Sequence, residues 1–242
     1  MRIDVYLKES GLVSSREKAR AAIAARAVYI NGRIARKYSE QVKEGDKVVL
    51  KDFEELKFVS RAALKLLYAQ KLWKINFKNK AVLDLGSSTG GFTQIALQGD
   101  AKCVFAVDVG EKQMHKTLRQ HPALILYEKQ DARKLSHNQI TEKIDILLAD
   151  LSFISIFKVL PYMLKFLKPG SKALLLFKPQ FELGKQHIGK GGIVKKDAPL
   201  KQALTHAKEQ LEALGFKWLN CAPSPQKGKS GNQEYLLFLE FK

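Results

Sequence analysis

Apolar and polar positions follow two different rhythms along this chain. From about residue 80 onward, short apolar runs recur at 81–85, 102–107, 123–127, 144–149 and 172–177, each the length of a buried strand. Helical spacing separates them: from Phe92 through Thr93, Ile95, Ala96 and Leu97, over 111–120, and over 155–168 up to the Pro169-Gly170 break. Asp197 is placed to cap a further helix reaching Leu214, and 216–221 with 235–241 read as a closing strand pair around the loop PSPQKGKSGNQ. Strands alternating with helices predict an α/β fold with a doubly wound, mostly parallel sheet.

The first fifty residues keep a shorter rhythm. Ser14-Ser15 is an N-cap signal for the helix REKARAAIAAR, which carries Ala19, Ala22 and Ile23 on one side. Short strands at 28–30 and 33–34 flank Asn31-Gly32, a strong hairpin signal, and a third strand is expected at 47–50. Lysine and arginine outnumber acids by twelve to six over 1–51. Either this is a solvated helix face, or Arg16 and Arg20, four apart on one face, meet the phosphates of structured RNA. The order RIDVYL, SSREKARAAI, VYINGR, EGDKVVL resembles the small RNA-binding module named after a small-subunit ribosomal protein. An acidic connector, 52–55, leads to Ser60, the expected cap of the helix SRAALKLLYAQKL. Leu64, Leu67 and Tyr68 form its apolar stripe, with Lys65 beside that stripe.

Composition narrows the partners. A formal charge of +18 over 242 residues makes a polyanion the expected ligand. No apolar run is long enough for stable membrane insertion, and MRIDVYLKES lacks the apolar core of a signal peptide. Cys103 and Cys221 sit in strand-like contexts without metal-ligand spacing, so no metal is expected and a reducing cytoplasm fits. The sequence is silent on oligomeric state.

Candidate chemistry centres on AVLDLGSSTGGF, residues 81–92, which reads as strand, glycine turn and helix. Its spacing is D-x-G-x-x-x-G rather than the G-x-G-x-x-G of dinucleotide binders. The carboxylate of Asp84 repels a pyrophosphate but suits a ligand with a cationic amino group, such as S-adenosylmethionine. Gly86, Ser88, Thr89, Gly90, Gly91 and Phe92 are then the other expected cofactor contacts. Asp108 follows the glycine turn at the distance of about twenty residues expected for a ribose-binding acid, a spacing that NAD shares. Asp131, in the next loop, is placed for an adenine edge. Asp84, Asp108, Asp150 and Lys178 all fall at carboxyl ends of expected strands, the edge where such sheets bind ligands. The glycine- and lysine-rich stretch 177–196 is either a solvated insertion or a lid facing polyphosphate, with Lys185 and Lys190 as candidate RNA contacts.

The methyl acceptor follows in part by elimination. Asp150-Leu151-Ser152-Phe153 lacks the two prolines of amino-directed enzymes, and neither cysteine lies in an exposed loop for attack on a base carbon. A ribose 2′-hydroxyl remains, and it needs a base; a lysine serves where burial and a second cation disfavour its charged form. The whole chain resembles the TlyA (hemolysin A) family of ribosomal RNA 2′-O-methyltransferases, with its FtsJ-like catalytic domain, most specifically at ADLSFIS and KPQFE. Ala62-Ala63 stand where glycines are frequent in that family. The resemblance implies a seven-stranded methyltransferase sheet over 60–242 and a small N-terminal α+β RNA-binding domain over 1–55. It also implies a Lys65, Asp150, Lys178, Glu234 tetrad: Lys178 as base, Lys65 positioning the hydroxyl, the two acids orienting them. Its implied substrate is cytidine in ribosomal RNA within ribosomal subunits, with one or both subunits open. A non-catalytic ribosome-assembly factor and a membrane-active hemolysin are the alternatives.

Overall fold

The side chain of Ser15 accepts a hydrogen bond from the Lys18 N–H at 3.2 Å and starts helix α2 (Arg16–Ala24), whose buried face is Ala19, Ala22 and Ile23. The structure, a computed structural model, describes residues 1–51, 54–228 and 230–242 and divides into two units, Met1–Ser60 and Arg61–Lys242. In the first, an additional helix α1 (Ile3–Glu9) precedes α2. Its heptad-like pair Ile3 and Leu7 is hidden in the sequence by the intervening Asp4 and Tyr6, and it packs against Val13, Val28 and Ile30. Strands β1 (Val28–Ile30) and β2 (Arg33–Ile34) form the expected hairpin. Asn31 and Gly32 both take positive φ, 50° and 79°, as its two-residue turn demands. Strand β3 (Val48–Leu50) pairs with the other edge of β1. The Asn31 amide ties the turn to Asp46 at 2.7 Å. The acidic connector expected at 52–55 opens on Asp52 and Phe53, which lie outside the described residues.

In the second unit, helix α3 (Ala62–Trp73) leads into strand β4 (Ala81–Leu85), helix α4 (Gly91–Gln98), strand β5 (Cys103–Val107), a single turn α5 (Lys116–Arg119) and strand β6 (Leu124–Tyr127). Strand β7 (Ile144–Ala149) follows, then the short helix α6 (Leu160–Met163), strand β8 (Leu167–Phe177), the turn α7 (Pro179–Glu182), helix α8 (Leu200–Ala213) and strands β9 (Phe216–Pro223) and β10 (Tyr235–Phe241). The sheet runs β6-β5-β4-β7-β8-β10-β9; among the described strands of this sheet only the β10 pairings, with β8 and β9, are antiparallel. This is the doubly wound, mostly parallel seven-stranded sheet. All five residues of both β4 and β5 are buried, which explains the unbroken apolar run of β5 and the run of β4, interrupted only by Asp84. The chain leaves β4 toward one edge and β7 toward the other. The crevice where such folds take ligands therefore lies beyond the carboxyl ends of these two strands.

Several helix boundaries differ from the periodicity. Where spacing predicts a helix over 111–120, only α5 forms: Lys112 takes φ +56°, outside the helical range, and the Gln113 and Met114 N–H groups donate to Glu128 instead of joining a longer helix end. The segment 155–168 breaks into 3-10 turns around α6, with Pro161 in its first turn. The Pro169-Gly170 pair lies within the span of β8, where the β7 register slips and Ser171 Oγ donates to the Ile144 carbonyl at 2.6 Å. Helix α8 starts at Leu200 with Pro199 as N-cap, so Asp197 does not cap it, and Arg61 rather than Ser60 occupies the N-cap of α3.

Candidate active site

The glycine turn and the loop after β7 touch through their backbones. Gly86 has φ +76°, and a Cβ there would meet the Asp150 carbonyl oxygen at 2.6 Å, so only glycine permits this approach. A Cβ on Gly90, at φ +94°, would meet Leu118 and the Met114 sulfur, both at 2.5 Å. Gly90 is also the N-cap of α4, into whose buried first turn Gly91 and Phe92 fall. Ser88 takes φ +47°; its N–H donates to Asp108 Oδ2 at 2.8 Å and its hydroxyl to Gln113 at 3.0 Å. The Gly110 N–H reaches the other Asp108 oxygen at 2.7 Å, and the Thr89 carbonyl accepts from the His115 N–H at 3.2 Å.

Asp84 lies wholly buried in β4. Its Oδ2 accepts the Thr93 hydroxyl at 2.6 Å, and its Oδ1 is a buried oxygen without a hydrogen-bond partner. Burial pushes its carboxyl up to about 7; the Thr93 contact opposes that rise, and the nearby charges of Asp150 and Asp108 add to it. Three carboxylates therefore act on one space, which a cationic group would relieve.

The sign of the resulting pH dependence follows. The fold favours the protonated acid, so the cost of ionising Asp84 is absent below about pH 4, grows between pH 4 and 7, and is complete above pH 7. A rise from the ordinary 3.8 to about 7 corresponds to about 4 kcal/mol. We expect Asp84→Asn to be more stable than the parent at pH 8, by on the order of 2 kcal/mol, with no such gain at pH 4. Urea unfolding at both pH values checks this; equal differences at the two would sink it.

Asp131 behaves differently. Both its oxygens are engaged by the Arg133 side chain, and one also caps the following turn through the Arg133 N–H at 2.9 Å. The Arg133 hydrogen bonds hold its carboxyl down at about 2. An adenine edge would have to compete with that arginine.

Two buried lysine–carboxylate pairs stand at the ends of β7, β8 and β10. Lys65, from α3, donates to Glu234 Oε2 at 2.6 Å, and both side chains are at most a tenth exposed. Lys178 Nζ lies 2.6 Å from Asp150 Oδ1, a charge contact outside hydrogen-bond angles, and donates to Ser152 Oγ at 2.8 Å. Tyr235 pairs with Phe177, so Glu234 and Lys178 occupy neighbouring positions at the same end of β10 and β8. The four side chains thus form two pairs at one end of the sheet, and Lys65 and Glu234 of the one are 169 positions apart. Behind them, a Cβ on Gly228 would collide with the Glu234 carboxylate.

The FtsJ-like methyltransferase model matches residues 58–241 of the chain, and the S4 domain model matches residues 1–48. The chain belongs to the FtsJ-like methyltransferase family. It is 36% identical to hemolysin A of Brachyspira hyodysenteriae, covering 98% of each chain. It is also 36% identical to the 16S/23S rRNA (cytidine-2'-O)-methyltransferase TlyA of Mycobacterium tuberculosis, over 98% of this chain and 89% of that one. A solved structure from Streptococcus thermophilus, described as a hemolysin, superposes with a TM-score of 0.78 at 34% identity, over 100% of this chain and 88% of that one.

Other residues of this FtsJ-like site carry no signal in spacing. Phe153 is 92% exposed, has φ +65°, and sets its ring 5.6 Å from that of Phe181. A positive φ on an aromatic residue is strained, and such strain clusters at functional loops. Periodicity misses Ser152 and Phe153 because a loop has none; the absent prolines after Asp150 are the available clue. The stretch 183–196, which carries the exposed Lys185 and Lys190, is folded back on itself by the Ile188–Val194 bridge. It is stapled by buried Asn232, which accepts from the Val194 N–H at 2.9 Å and donates to the Gly192 carbonyl at 2.8 Å.

In the S4 domain, Asp4 is fully buried and gathers Arg16 at 2.9 Å, Arg2 at 3.1 Å and Arg20 at 3.5 Å. Burial pushes the Asp4 carboxyl up, but Arg16 and Arg2 outweigh it and hold it below its ordinary value. Arg2 and Arg20 lie over the Tyr38 ring, at 5.4 and 4.9 Å. One acid against three arginines leaves this half-exposed cluster strongly cationic. Among the described residues no group of three acids, histidines or cysteines is placed to hold a metal, and no helix is long and apolar enough to cross a membrane.

Proposed function

We propose that this protein transfers a methyl group from S-adenosylmethionine to a ribose 2′-hydroxyl, of cytidine, in ribosomal RNA within ribosomal subunits. The observation that carries the reading is the meeting of two features at one crevice. Asp150, paired with Lys178, stands on the loop whose backbone Gly86 of the glycine turn touches. When bound, the cofactor would supply an electrophilic methyl carbon on a sulfonium. The residues present fit it: Asp84, with its unpartnered oxygen, would face the ammonium; Asp108 would face the ribose; and the turn from Gly86 through Ser88 and Thr89 to Gly90, with Gly91 and Phe92, would line its path.

The chain's own work is then to hold and deprotonate the hydroxyl. Lys178 would accept the 2′ proton at Nζ, freeing the oxygen for the methyl group that the bound cofactor would supply. Asp150 and Ser152 fix the direction of that nitrogen, and Lys65, held by Glu234, orients the hydroxyl. The exposed Phe153 ring offers a face for a base turned out of the RNA. Arg16 and Arg20, with Lys185 and Lys190, supply phosphate contacts, and the compartment is that of the ribosomal subunits, the cytoplasm.

The test is methyl transfer from labelled S-adenosylmethionine to purified small and large subunits separately, with nucleotide-level mapping. A 2′-O-methylated cytidine in at least one subunit is the expected result. A methyl group found on a base would overturn the ribose assignment.

A further inference from the structure

The two motifs of the sequence, ADLSFIS and KPQFE, extend past Asp150 and Lys178, and their remainders meet each other. Ser155 Oγ donates to Glu182 Oε2 at 2.6 Å, and the Ile156 N–H donates to Glu182 Oε1 at 2.9 Å. With the Lys178–Asp150, Lys178–Ser152 and Phe181–Phe153 contacts, this lays 178–182 along 150–156 in register: 178 against 150 and 152, 181 against 153, 182 against 155 and 156. Glu182 is the carboxylate that locks the far end of this pairing.

We propose that Glu182 is a positioning residue, whose carboxylate pins the 150–156 loop to α7 and so sets Asp150, Ser152 and Phe153 relative to Lys178. A local capping role alone does not account for it. The 3-10 turn after Ser155 already has a local cap, since Ser155 Oγ accepts the Phe157 N–H at 3.2 Å. Glu182 adds an anchor from 26 positions away in sequence. The loop also needs one: Phe153 holds a positive φ, a strained conformation that persists only where its surroundings over-determine it. A carboxylate accepting two hydrogen bonds is a strong clamp of this kind. Burial holds the Glu182 carboxyl above the ordinary glutamate range in spite of its two donors, so the fold keeps a costly group in place there.

The assignment of what is positioned rests on the methyl-transfer reading, so the test has two readouts on the full-length protein. The first is amide hydrogen exchange over 151–157 without cofactor; the second is kcat and KM with ribosomal subunits. Glu182→Ala is expected to accelerate exchange over 151–157 and leave 81–98 unchanged. It should lower kcat by about 10²-fold, with KM for the subunit and cofactor Kd within about threefold of the parent. Glu182→Gln, whose amide oxygen still accepts from Ile156, should recover most of kcat. Parental exchange and kcat in Glu182→Ala overturn the proposal. So does a Glu182→Gln protein as impaired as Glu182→Ala, with a matching loss of melting temperature, which marks a merely structural residue. If the unmodified protein itself transfers no methyl group, the functional reading fails, while the exchange result still decides whether Glu182 anchors the loop.

Discussion

Lys178→Ala and Lys178→Arg are both expected to lose methyl transfer, with kcat down by about 10²–10⁴-fold and cofactor affinity retained. The pair of substitutions separates two roles. Alanine removes the proposed base and leaves the Asp150 carboxylate without its cation. Arginine keeps a cation beside Asp150, but a guanidinium does not give up its proton and cannot accept one from the hydroxyl. Retained turnover in Lys178→Arg would show that the position supplies charge rather than proton transfer. Calorimetric titration of the cofactor into each variant reports whether the glycine-turn half of the crevice stays intact, as expected for a residue that lies on β8's end and not in that turn.

The second large effect concerns stability. Lys65→Met preserves much of the side-chain volume but strands Glu234, which is 3% exposed, without its cation. Breaking a buried pair from one side costs about 3–5 kcal/mol, because a desolvated charge is left uncompensated. The double variant Lys65→Met/Glu234→Gln removes both charges, and we expect it to recover most of that loss while remaining inactive. Urea unfolding of the two variants and the parent checks the cycle. A Lys65→Met protein as stable as the parent would mean that water or another cation already compensates Glu234.

Much of the architecture was legible because it rests on local rules. Short, mostly apolar runs such as 81–85 and 103–107, bounded by turn signals, read as strands buried on both faces, and Asn31-Gly32 admits few alternatives to a tight hairpin. Helices were less legible where a distant group competes for their backbone. Lys112 takes a positive φ where Glu128 gathers the N–H groups of 113 and 114, Pro161 interrupts 155–168, and α1 hides behind Asp4, which is buried beneath half-exposed arginines.

The site divides in the same way. The amino-acid sequence alone determined the strand–glycine-turn–helix, its D-x-G-x-x-x-G spacing and the acids at strand ends, because close backbone approach and strand termination are written in consecutive residues. Resemblance, not spacing, singled out Lys65 and Glu234, since nothing within either segment distinguishes a buried lysine from a solvated one. Tertiary structure alone decided that these two form a pair, that Glu182 reaches Ser155, and that Phe153 stands exposed on a strained backbone. Such facts depend on which strands lie side by side. The β8–β10 register, a contact between segments nearly sixty residues apart, brings the second half of the site to the first.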